Sequence, residues 1–108
     1  MSLNGSAPYQ YIVLHQSCRN HPGVTAVQAA HAAGESGPAT GDTHVVALVA
    51  DKSEDLEALA GHLAGAGIRY VLIREPDEPY NGAAVALGIA PQARETVRPH
   101  VAAFKVFR

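Results

Sequence analysis

Two hydrophobic rhythms alternate along the chain. Short runs of branched and aromatic residues are separated by longer stretches in which apolar positions recur every three or four residues. The first run, "YQYIVLHQ" from Tyr9 to Gln16, is too short for a helix and rich in strand-forming residues, so it predicts a buried β-strand. In the polar loop "SCRNHPG" that follows, Asn20 can cap a helix and Pro22 can sit in its first turn, where the missing N–H costs nothing. The helix is nearly all alanine and runs to about Glu35, where "GESGPATGD" stops it. Thr25, Gln28, His31 and Glu35 fall within roughly a third of its circumference. The expectation is a polar stripe that lines a crevice, or that simply meets solvent, with the alanine side against a sheet.

"THVVALVA" (Thr43 to Ala50) has the unbroken apolar character of a strand covered on both faces. A second helix follows: Asp51 or Ser53 can cap it, acidic residues suit its first turn, and Leu56, Leu59, Ala60 and Leu63 repeat at helical spacing. "RYVLIRE" predicts a third strand, "EPDEPYNG" a Pro-rich loop and "AAVALGIAP" a fourth strand. A short helical turn near "PQARETV" and a last strand in "PHVAAFKVF" complete the order β-α-β-α-β-β-(α)-β. This order predicts an α/β fold, a mixed sheet of four to five strands with helices on both faces.

The 108 residues, 47% of them hydrophobic, suit one domain over residues 9–108, with residues 1–8 as a flexible tail or vector-derived remnant. No run reaches the roughly 18 apolar residues of a membrane helix, and no leader pattern opens the chain, so a cytoplasmic protein with no membrane partner is expected. Cys18 is the single cysteine, which excludes an internal disulfide and a multi-cysteine zinc site. His15, His21 and His31 fit no zinc spacing, and no metal or cofactor is expected. A net charge of −2 argues against broad attraction to nucleic acid, although Arg94, Arg98, His100, Lys105 and Arg108 allow a local basic patch near the end.

Two segments have a more specific resemblance. The helix register Gly23-Val24-Thr25-Ala26-Val27-Gln28-Ala29-Ala30-His31-Ala32 resembles the glycine followed by the Ala-Ala-Gln-x-x-His-Ala run of the type-2 peptidyl-tRNA hydrolases. "REPDEPYNGAAVALGIAP" echoes that family's acidic loop and the strand ending in Gly-Pro. Pro22 and Val24 stand where the family usually has lysine, and the Arg-Glu-Pro-Asp loop is closer to a divergent bacterial branch. The resemblance implies a three-layer α/β/α fold, peptidyl-tRNA as substrate, cleavage of its ester bond, and residues 9 to 107 as the matching region. The alternative on the same fold is a non-catalytic module that binds RNA, a small ligand or a protein.

Ester hydrolysis needs a group that takes a proton from water, donors for the oxyanion and a means of placing the substrate. His31 is the candidate base with Gln28 to orient it, or a rim histidine that satisfies a carbonyl. Glu75 and Asp77 follow a strand end, where open α/β sheets place ligand crevices, and either can activate water or merely charge a turn. Gly23, Arg74, Asn81, Arg94 and Arg98 are the candidates for substrate binding, through amides near the glycine and asparagine and through cations at the arginines. A homodimer is expected, since alanine-rich faces permit close approach.

Overall fold

A computed structural model describes residues 7–37 and 39–108; residues 1–6 of the expected tail lie outside the described residues. The strands are β1 (Tyr9–His15), β2 (His44–Ala50), β3 (Tyr70–Glu75), β4 (Ala83–Ile89) and β5 (Lys105–Val106). The helices are α1 (Pro22–Ser36), α2 (Ser53–Gly65) and α3 (Arg94–Val101), with a 3-10 helix over Gln16–Asn20. One mixed sheet has the order β3-β4-β1-β2-β5, with β1 and β2 parallel and the remaining pairs antiparallel. The expected three-layer α/β architecture is the one observed.

Strand alternation explains the continuous apolar runs. In β1, Tyr11 and Val13 point into a cluster with Leu56, Leu59 and Leu63 of α2 and with Val97 and Val101 of α3. Ile12 and Leu14 point the other way, into a cluster with Ala32 of α1, Cys18 and Val85. A strand buried on both faces has no polar side to present, hence the missing alternation. The small side chains of α1 have a similar cause. The helix lies over β4, β3 and β1, and the Ala32 carbonyl approaches Gly88 so closely that any β-carbon there would collide with it.

Two expectations change near the C-terminus. The helix near residues 91–97 is longer, reaching Val101 through Pro99, and the strand expected over residues 99–107 is reduced to Lys105–Val106. Val97 and Val101 stand one helical turn apart and are both buried, so their packing against the sheet and α2 outweighs the single backbone hydrogen bond that Pro99 removes. At α2 the N-cap is Lys52, between the two residues expected to cap; its amide donates to Asp55 Oδ2 at 3.2 Å, and Ser53 Oγ donates to the Ala84 carbonyl at 2.7 Å.

Candidate functional site

Because β1, β2 and β3 all run the same way, His15, Ala50 and Glu75 close their strands along one edge of the sheet. The first turn of α1 and the loop over residues 76–82 come to that same edge. Open α/β sheets place their crevices outside such carboxyl ends.

The tightest polar chain on this edge was not assembled by sequence reasoning. His15 caps the 3-10 helix: its Nδ1 accepts the Ser17 amide at 3.1 Å and lies 2.8 Å from Ser17 Oγ. An Nδ1 that accepts an amide hydrogen holds no proton of its own, so the neutral imidazole has its proton on Nε2. Ser17 Oγ is also 3.2 Å from the Tyr80 hydroxyl, which ties the 76–82 loop to the end of β1. The half-buried serine therefore stands between a basic nitrogen and a phenol. The only hint in the sequence is a histidine and a serine two residues apart directly after a strand.

The polar stripe of α1 is divided by the fold. Thr25 turns inward and its single hydroxyl hydrogen is shared between the carbonyls of Cys18 and His21, fastening α1 to the 3-10 helix. Gln28 is half-buried, and its Oε1 is buried without a hydrogen-bond partner among the described residues. Leaving such an acceptor dry and unpaired costs roughly 1–3 kcal/mol. His31 and Glu35 point outward and face each other at 3.6 Å, with about half of each side chain exposed. The inward face is Thr25, Gln28, Ala29, Ala32 and Ser36, so alanines fill only part of the side turned to the sheet.

Glu75 and Asp77 are brought together in one loop, where Glu75 Oε1 accepts the Asp77 amide at 3.3 Å. His31 is not beside them. Ala32 sits over Gly88, which pairs with Val71, and the strand steps from Val71 to Glu75 put roughly 12 Å between His31 and Glu75 along the sheet. Asn81 and Gly82 both have positive φ, but the Asn81 amide donates to the Asp77 carbonyl and the Gly82 amide to Glu75, so the turn itself consumes them. Gly23 is exposed in the first turn of α1, with open space around it.

The candidate arginines are dispersed. Arg74 is engaged by Glu57 of α2 at 2.6 Å, an ion pair that raises its guanidinium pKa above the ordinary value. Arg94 lies 5.6 Å from the ring centroid of Tyr9, at the amino end of β1 and roughly 20 Å along the strands from His15. Arg98 follows one turn later in α3. Neither arginine shares an edge with Gly23 and Asn81. Burial pushes the Cys18 thiol above its ordinary value, and this cysteine packs as an apolar residue in the cluster of Ile12, Leu14 and Ala32.

A cleft of about 560 Å³ opens between α2 and the turn from α3 to β5; His100 and Lys105 of the expected basic patch line it, and none of the candidate catalytic or substrate-binding residues does. Compared with known proteins, the chain matches no family model and no curated protein.

Proposed function

We propose that the protein hydrolyses the ester bond of peptidyl-tRNA at the strand-end surface formed by the 3-10 helix, the start of α1 and the 76–82 loop. The observation that supports this reading is the Tyr80–Ser17–His15 chain at the strand ends. In this reading a water bound at Ser17 Oγ attacks the ester carbonyl and gives its proton to that oxygen, while the serine proton passes to His15 Nδ1. The imidazolium returns a proton by the same route to the departing 3′-oxygen of the tRNA, so the relay ends as it began. Tyr80 holds the serine in place. Glu75 shapes the loop through the Asp77 amide.

A second reading, a non-catalytic module that binds RNA, a small ligand or a protein at the same surface, is favoured by the separation of His31 from Glu75. Incubation with N-acetyl-aminoacyl-tRNA separates the two. Release of free tRNA that is lost in Ser17→Ala supports hydrolysis; retention of intact ester-linked tRNA at high protein concentration supports the binding module and rejects the hydrolase.

A further inference from the structure

The cleft on the α2 face stands at a particular place in the topology. The connection after β1 crosses one face of the sheet as α1, and the connection after its parallel neighbour β2 crosses the other as α2. The carboxyl ends of two such strands form a topological switch point, where open α/β sheets leave room for a ligand. Arg19 follows β1, Asp51 follows β2, and both line this cleft. Its volume lies in the range of about 300–1,000 Å³ typical of small-molecule sites.

The walls of the cleft have opposite charge. Asp51, Asp55 and the His62 imidazole line the α2 side, whereas Lys105 and the His100 imidazole line the side of α3 and β5, and Arg19 of the 3-10 helix completes the lining. Leu59 and Phe104 supply an apolar floor. Among the described residues, neither Arg19 nor Lys105 makes an ion pair with Asp51, Asp55 or any other carboxylate; the guanidinium–carboxylate pair formed is Arg74–Glu57. Opposite charges that share one hollow without touching attract a guest that answers both. A simple anion leaves the two aspartates unmatched, and a simple cation leaves the arginine and lysine unmatched.

We propose that this cleft binds a dipolar small molecule, with an ammonium toward Asp51 and Asp55, a carboxylate toward Arg19 and Lys105, and an apolar stem on Leu59 and Phe104, the chemistry of a free short peptide. Ser17 does not line this cleft, and the proposal stands whether or not the protein hydrolyses esters. The test is titration of the full chain, followed by amide resonances, with glycyl-leucine, N-acetyl-glycyl-leucine, glycyl-leucinamide and inorganic phosphate. Saturable shifts of the Ala58 and Ala103 amides by glycyl-leucine are expected, weakened about tenfold or more when either terminus is blocked. Asp51→Asn with Asp55→Asn weakens glycyl-leucine and glycyl-leucinamide but spares the acetylated form, and Arg19→Gln with Lys105→Gln does the converse. Equal binding of the free and blocked peptides, phosphate binding as tight as the dipeptide, or no saturation below about 10 mM would overturn the proposal. The blocked peptides test it on the unaltered protein, independently of how the variants fold.

Discussion

Gly88 of β4 lies directly beneath the Ala32 carbonyl of α1, and this contact sets how closely the helix approaches the sheet. A β-carbon at position 88 would meet that backbone carbonyl and would stand 2.9 Å from Ser36 Oγ. Gly88→Ala is therefore expected to destabilise the fold by about 1–3 kcal/mol or more, because a helix backbone has to move. Gly61 in α2 gives the contrast: it has open space around it, and Gly61→Ala is expected to stabilise by about 0.5–1 kcal/mol through helix propensity. Urea midpoints of the two variants, read at unchanged slope, check both signs.

The end of α1 depends on a strand residue. Gln10 is 1% exposed, and its Nε2 shares two hydrogens among three acceptors, the Ala33 carbonyl at 3.0 Å, the Gly37 carbonyl at 3.0 Å and Ser36 Oγ at 3.1 Å. No basic residue occupies the last turn of α1, so this amide satisfies the helix terminus from across the sheet. Gln10→Leu keeps the volume but strands the acceptors, and a loss of about 2–3 kcal/mol in denaturant unfolding is expected.

Cys18 gives stability a pH dependence of known sign. Burial raises the thiol pKa in the fold above its unfolded value. Its contribution is thus fully present below the unfolded pKa and is lost as pH rises through the folded one, since the unfolded chain then gains more from ionising. Cys18→Ala should remove that alkaline loss of stability while lowering stability at neutral pH through lost packing. The native thiol should also react with a disulfide reagent much more slowly than the urea-unfolded chain.

Arg74 pairs with Glu57 of α2, and its Nη1 also donates to the Gly82 carbonyl at the end of the 76–82 loop, at 3.2 Å. Both are about half exposed, so solvent screens their pair. Glu57→Gln, which removes the ion pair and leaves the Arg74–Gly82 contact in place, is expected to leave the urea midpoint and the rate of ester hydrolysis within error, measured side by side with Ser17→Ala. A large loss of turnover in Glu57→Gln would place the substrate on the wrong face.

Much of the fold was legible in the sequence because burial wrote it there. β1 lacks alternation because Tyr11, Val13, Ile12 and Leu14 are covered from both sides, and the leucines of α2 mark its buried flank. The third helix was harder to read. Pro99 and the apolar residues after it suggest a strand, and only the shared burial of Val97 and Val101 across the sheet makes the helix continue. The candidate site was legible in part. Glu75 and Asp77 do share a loop at a strand end, but the register that places Ala32 over Gly88, and so sets His31 apart from them, is a long-range contact with no local signal. Ser17 and Tyr80 meet across 63 positions of sequence, and no spacing rule joins residues so far apart.

The most direct test is the rate at which N-acetyl-aminoacyl-tRNA is cleaved by the unaltered protein and by His15→Gln, Ser17→Ala and His31→Ala, each checked for native folding. Cleavage by the unaltered protein is expected, with a loss of about a hundredfold or more in kcat/KM for the first two variants and near-normal turnover for His31→Ala. Full activity in Ser17→Ala together with its loss in His31→Ala, or no cleavage by any of the four, would contradict that expectation.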